Sequence, residues 1–188
     1  DAALANGGDG LSFDAGTSGV TIGGIVDSAR NLISGNGTSG IWLNGASDIT
    51  IYGNYIGLDA TGTTAVGNSS VGIASSGANN LTIGTGVSAG RNVIAGNGSR
   101  AIQPQGTYSS LTISGNYVGT DATGNVALSN GWAVGTNVQD GISFDGGVNA
   151  TTVSITDNII GGYNAALLEF WGGTATDVTV QGNSLGIG

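Results

Sequence analysis

The 188 residues carry 12 acidic side chains against three arginines, a net charge of −9, with 38 glycines, one proline and no Cys, Met, His or Lys. Such a surface cannot neutralise a row of phosphates, which argues against a nucleic-acid partner, and without cysteine there is no disulfide, thiolate zinc site or cysteine nucleophile. No apolar run approaches membrane-spanning length, and the N-terminus lacks a charged-then-apolar signal pattern, so no membrane insertion is expected.

Glycine-rich composition can signal disorder, but low charge and regular β-branched triplets predict packed strands. Taken in order, each unit of the chain opens on an apolar pair at alternate positions, first Leu11/Phe13, then Ile41/Leu43, Ile73/Ser75, Ile102/Pro104, Ile142/Phe144 and Leu168/Phe170. An apolar–Thr/Ser–apolar triplet follows: Val20-Thr21-Ile22, Ile49-Thr50-Ile51, Leu81-Thr82-Ile83, Leu111-Thr112-Ile113, Val153-Ser154-Ile155 and Val178-Thr179-Val180. After each triplet comes an asparagine, Asn31, Asn54, Asn92, Asn116, Asn158 or Asn183, with an apolar residue two positions on. That makes three short strands per unit and six units. The opening residues are 30, 32, 29, 40 and 26 positions apart, so loop lengths vary while the strand pattern does not, as in a solenoid. Pro104 removes a ladder donor and predicts an irregular fourth turn, which also carries the longest insertion, 121–139.

In four units the residue before the asparagine is Gly53, Gly115, Asp157 or Gly182, types that tolerate a left-handed backbone, so a corner is predicted there. Stacked units would bring the six asparagines into one column whose amides bond along the stack. A slower period lies on top: Arg30 to Arg91 is 61 residues and Asp59 to Asp121 is 62, so two turns make one larger repeat. Odd turns expand the corner before Asn31 and Asn92, and even turns launch Asp-Ala-Thr-Gly loops at Asp59 and Asp121.

The recurring apolar-Thr-apolar-x-Gly-Asn pattern, with Asn54-Tyr55-Ile56-Gly57-Leu58-Asp59-Ala60-Thr61-Gly62 and Arg91-Asn92-Val93-Ile94-Ala95-Gly96-Asn97, resembles the right-handed parallel β-helix repeat family. Its architecture is shared by pectate lyases and many bacterial surface proteins. The resemblance spans nearly the whole chain and implies an all-β solenoid of residues 1–188, of about six turns of three short strands, located outside the cell or on its surface. Where enzymes of that architecture act, it implies acidic polysaccharide bound along the outer face of one sheet.

Lyase chemistry needs a basic residue and a calcium ion held by carboxylates, and hydrolysis needs paired carboxylates. With no Lys or His the base is missing. The repeated Arg30 and Arg91 are predicted to tie down the expanded corners through carbonyls or Asp27, while Arg100 could face a groove. Outward positions of the first sheet put Trp42, Gln103, Gln105 and Trp171 forward as carbohydrate contacts, with Asp145 and Glu169 as the candidate catalytic pair. Solvated edge charges are the plainer reading of those two carboxylates. Calcium, the one cofactor considered, would have to use Asp59 and Asp121; one carboxylate per loop is few for a hard cation, so both are read as acceptors of turn amides. A column of Thr21, Thr50, Thr82, Thr112, Ser154 and Thr179 lies outward on the second sheet, where Thr is simply favoured. The third sheet's outward column, Leu32, Tyr55, Val93, Tyr117, Ile159 and Ser184, is too apolar to face water, and the Asp-Ala-Thr-Gly loops are predicted to cover it.

Residues 3–11 align without a gap on 65–73, and 183–188 resemble the launch of another loop. Further copies or continuing turns of the same helix, end to end, are therefore the expected partners, with polysaccharide as the other candidate. The functional expectation is a structural or adhesive segment of a secreted or cell-surface bacterial protein, a stalk, fibre or filament; the alternative is a carbohydrate-binding or polysaccharide-degrading β-helix.

Overall fold

The computed structural model describes residues 6–130, 140–163 and 165–186. Six turns of three strands follow one another. The first turn contributes β1 (Leu11–Asp14), β2 (Thr21–Gly23) and β3 (Leu32–Ile33), and the second β4 (Ile41–Asn44), β5 (Ser47–Tyr52) and β6 (Tyr55–Ile56). The third has β7 (Ile73–Ser76), β8 (Asn79–Ile83) and β9 (Val93–Ile94), and the fourth β10 (Ile102–Gln105), β11 (Thr107–Ser114) and β12 (Tyr117–Val118). The fifth and sixth supply β13 (Ile142–Phe144), β14 (Asn149–Thr156), β15 (Ile159–Ile160), β16 (Leu168–Phe170), β17 (Thr174–Gln181) and β18 (Ser184–Leu185). Every third strand joins one sheet, giving three parallel six-stranded sheets, the architecture of a right-handed parallel β-helix of about six turns.

Register follows the sequence pattern. Leu11, Ile41, Ile73 and Ile102 stack in one column, and Ile142 continues it from Ile102 to Leu168. The triplets align likewise, so Ile22, Ile51, Ile83, Ile113 and Ile155 form a buried column and the Thr/Ser column lies outside it. Pro104 has the predicted consequence: β10 matches β7 over four residues but meets β13 at the single pair Ile102 and Ile142. The rest of the long insertion, 131–139, falls outside the described residues.

One core substitution compensates another. The inward position at the start of the second-sheet strands is Ala46, Ala78 and Ala150 in three turns but Tyr108 in the fourth, all buried. The Tyr108 hydroxyl lies 2.6 Å from the Ser75 hydroxyl and accepts from the Gln105 N–H at 3.1 Å. Ser75 therefore stands where other turns carry Leu43 or Phe13, and the missing side-chain volume accommodates the ring. Burial pushes the phenol up to about 12, against the hydrogen bonds from Ser75 and Gln105.

The predicted asparagine column is present. Each backbone N–H and Nδ2 donates to the Oδ1 one turn on, from Asn31 to Asn54, Asn92, Asn116, Asn158 and Asn183, at 2.9–3.3 Å. The corner before it requires its residue types: Gly53 has φ 75°, and a Cβ there would lie 1.9 Å from the Gly24 carbonyl oxygen. A second column, which the triplet pattern does not announce, joins Asn36, Asn68, Asn97 and Asn130 in the same donor-to-Oδ1 manner at the corner between third and first sheets. It ends where the Asn130 amide donates to the Tyr163 hydroxyl, whose pKa burial raises.

Candidate functional site

On the outer face of the first sheet, turns four to six carry a polar cluster. Arg100, at the entrance to β10, places Nη2 2.7 Å from Asp145 Oδ2 and Nε 3.3 Å from Asp140 Oδ2. Gln103 and Gln105 alternate outward from β10, and both amides donate to Asp145 Oδ1, at 2.9 and 3.2 Å. Asp140 also accepts the Ala166 N–H at 3.1 Å, which pins the fifth turn to the sixth. Glu169 is engaged separately, accepting from the buried Ser143 hydroxyl at 2.9 Å. Trp171 follows β16 with 72% of its surface exposed and, with Asp145 and three glycines, lines an open hollow of about 390 Å³.

The structure thus brings Gln103, Gln105, Asp145 and Trp171 together, with Arg100 and Asp140 as members of the same network. It leaves Trp42 on the second turn, beside Ser12 and Ala74, about 19 Å away at roughly 4.8 Å per turn. Both oxygens of Asp145 are held by donors, and Arg100 compensates its charge. Glu169 stands in a different polar environment, bonded to one hydroxyl. The arrangement presents an exposed indole beside fixed amides and an Arg100–Asp145 ion pair whose side chains are 16% and 22% exposed. Such a surface suits binding of a flat polar ligand.

The loops on the third sheet form a second candidate. Asp59 accepts from the Thr61 hydroxyl and the amides of Thr63 and Thr64, and Asp121 from the Thr123 hydroxyl and the amides of Asn125 and Val126. Among the described residues no three His, Cys, Asp or Glu side chains converge as a metal-binding group. The loops cover the middle of the apolar column, where Leu58, Val93 and Ala95 pack with Tyr55, Tyr117, Ala122 and Leu128, but Leu32 on the first turn stays 51% exposed. Gly62 and Gly124 lie flat on the Tyr55 and Tyr117 rings, with no room for a Cβ. On the same rings sit the guanidinium groups of Arg30 and Arg91, 4.3 and 3.9 Å from the ring centroids. Arg30 also pairs with Asp27 at 2.6 Å, while Arg91 Nε donates to the Gly115 carbonyl of the next corner rather than to its own loop.

Desolvation pushes the Asp121 carboxyl up, but the Thr123 hydroxyl and the Val126, Asn125 and Thr123 amides overcome it and hold the carboxyl below the usual range. The folded form therefore prefers the carboxylate. Its stabilisation is complete above the unfolded carboxyl value near 4 and is lost as pH falls through the lower folded value. Asp121→Asn should flatten this acid dependence of the melting temperature; an unchanged acid limb would mean that these amides do not stabilise the charge.

Comparison with protein-family models, curated proteins and solved structures finds no match to this chain. No helix of the described residues is long and apolar enough to cross a membrane. Two groups of functional interest escaped the sequence reading. The second asparagine column is signalled by Gly35-Asn36, Gly67-Asn68, Gly96-Asn97 and Ser129-Asn130, at spacings of 32, 29 and 33 residues. Asp140 had no signal, because its partner Arg100 is 40 residues away across an insertion.

Proposed function

We propose that this chain is a structural or adhesive β-helix segment, part of a stalk, fibre or filament of a secreted or cell-surface bacterial protein. The observation that supports it is the first asparagine column, which runs from Asn31 to Asn183 through all six turns without interruption. A rigid column of buried amides stiffens the molecule along its axis. Ligand sites in repeat folds are usually made by breaking the pattern, and here the inward columns and corners persist except around the fourth turn, at Pro104 and Tyr108, and at Trp171. Partners of such a segment are further turns or copies of the same helix. The test is limited digestion with a protease of broad specificity. Cuts should fall at the exposed corner tips around Ile25, Val26 and Val87, leaving the strands intact; rapid cleavage within the strands would overturn a protease-resistant stalk.

A second reading, a carbohydrate-binding surface, is favoured by the exposure of Trp171 beside Asp145. Titration with pectin and alginate fragments, followed by tryptophan fluorescence, separates the two. The structural reading expects no quenching, and quenching abolished by Trp171→Ala but preserved in Trp42→Ala would establish the binding surface in its place.

A further inference from the structure

We propose that the hollow between Trp171 and Asp145 binds a quaternary ammonium group, seated against the indole and held by the net negative charge of the surrounding carboxylates. The patch is the one invoked for the carbohydrate reading, but the ligand is a cation of different chemistry.

The hollow exists because two consecutive corners are widened. Between the first and second sheets the corner holds one glycine in the second to fourth turns, Gly45, Gly77 and Gly106, but a pair in the next two, Gly146-Gly147 and Gly172-Gly173, all with positive φ. A Cβ at Gly147 would meet nothing within 4 Å, and one at Gly172 nothing nearer than the Gly147 nitrogen at 3.8 Å. The floor is therefore bare backbone. Asp145, Gly146 and Gly147 of the fifth turn and Trp171 and Gly172 of the sixth line about 390 Å³, ample for a trimethylammonium group.

Register explains why the indole meets a carboxylate. Ser143 pairs with Glu169 and Phe144 with Phe170 across β13 and β16, so the next residues, Asp145 and Trp171, are neighbours where the corner begins. Glu169 precedes Trp171 by two positions on the same outward face, roughly 7 Å along the strand.

Charge decides the class of ligand. Three carboxylates, Asp140, Asp145 and Glu169, stand beside one guanidinium, Arg100, which is divided between Asp140 and Asp145. The other two arginines stack on Tyr55 and Tyr117, and the chain has no Lys or His. No side-chain cation is left to cover the indole, and an anionic ligand would meet uncompensated carboxylate charge. Hydrogen-bonding capacity then selects among cations. Asp145 Oδ1 already accepts from the Gln103 and Gln105 amides, and Oδ2 from Arg100 Nη2. A primary ammonium ion is strongly hydrated and needs acceptors in exchange for its lost water. A quaternary ammonium group has no N–H to satisfy and is attracted by the ring face and the local potential alone.

The test is a titration of the 188-residue chain with choline and with its uncharged analogue, in which a tert-butyl group replaces the trimethylammonium, followed by the indole N–H resonances of the three tryptophans. Choline should shift the Trp171 resonance to saturation and leave that of Trp42 unmoved; the uncharged analogue should shift neither. Trp171→Ala changes an exposed side chain, should retain the β-sheet circular dichroism, and should abolish the response, while Trp171→Phe keeps a ring and should bind more weakly. Glu169→Gln should weaken choline binding about threefold, the effect of one unit charge roughly 7 Å away in water, and added salt should weaken it as well. Flotation with phosphatidylcholine vesicles assigns the group to a lipid headgroup if the chain floats, and to a soluble ligand if free choline binds and the vesicles do not. Equal shifts with choline and the uncharged analogue, or a Trp171 resonance that choline does not move, would overturn the inference. Quenching by pectin or alginate that depends on Trp171, in a chain that ignores choline, would overturn it in favour of the carbohydrate reading; the stalk reading rests on the asparagine column under every outcome.

Discussion

Tyr108→Ala should lower the unfolding free energy by about 4 kcal/mol, the middle of the range for deleting a buried aromatic side chain. The ring is 1% exposed and lies in a core column that holds alanine, Ala78 and Ala150, in the turns on either side, so nothing nearby is positioned to fill the space. Its loss also leaves the Gln105 N–H without the hydroxyl it bonds. Tyr108→Phe keeps the ring and removes the hydroxyl, and should cost about 1–2 kcal/mol. The decisive comparison is the double variant. Ser75→Leu with Tyr108→Ala restores the combination seen one turn earlier, where Leu43 adjoins Ala78 of the following turn, and should recover much of the loss in urea denaturation. If the two substitutions simply add, the Tyr108 ring does not occupy the volume that Ser75 vacates.

Asn92→Ala should cost about 3 kcal/mol, because several buried groups lose partners at once. Its Nδ2 donates to the Ile51 carbonyl and to Asn116 Oδ1, and its Oδ1 accepts from both nitrogens of Asn54. No water can reach these groups, for Asn92, Asn54 and Asn116 are fully buried. The same substitution at Asn183, at the exposed end of the column, should cost less than about 1 kcal/mol. Equal shifts in the urea midpoint at the two positions would contradict a column whose interior bonds depend on burial.

The loop covering of the third sheet shows how a sequence pattern can predict more than strands. Tyr55, Val93 and Tyr117 are too apolar for solvent, and the Asp-Ala-Thr-Gly loops that leave this sheet carry apolar residues that cover them, while Leu32 on the first turn stays exposed. What that argument could not supply is the pairing of Arg30 with Tyr55 and Arg91 with Tyr117, 25 and 26 residues apart. The larger two-turn repeat contained both members of each pair, but only the bend of the chain sets a guanidinium over a ring.

By itself the sequence determined the strands, their inward and outward faces, the number of turns, the first asparagine column and the irregularity at Pro104. Each turn of a solenoid touches only its neighbours, so nearest-neighbour contacts recur at one period and are visible as repetition. Tertiary structure alone decided the contacts that occur once: Tyr108 against Ser75, Arg100 between Asp140 and Asp145, and the separation of Trp42 from Trp171. A single event leaves no period to read, and loops of unequal length hide which residues they bring together. The second asparagine column lies between these cases. It repeats, yet its corner is reached after loops that differ in length from turn to turn, and only the folded chain aligns its amides.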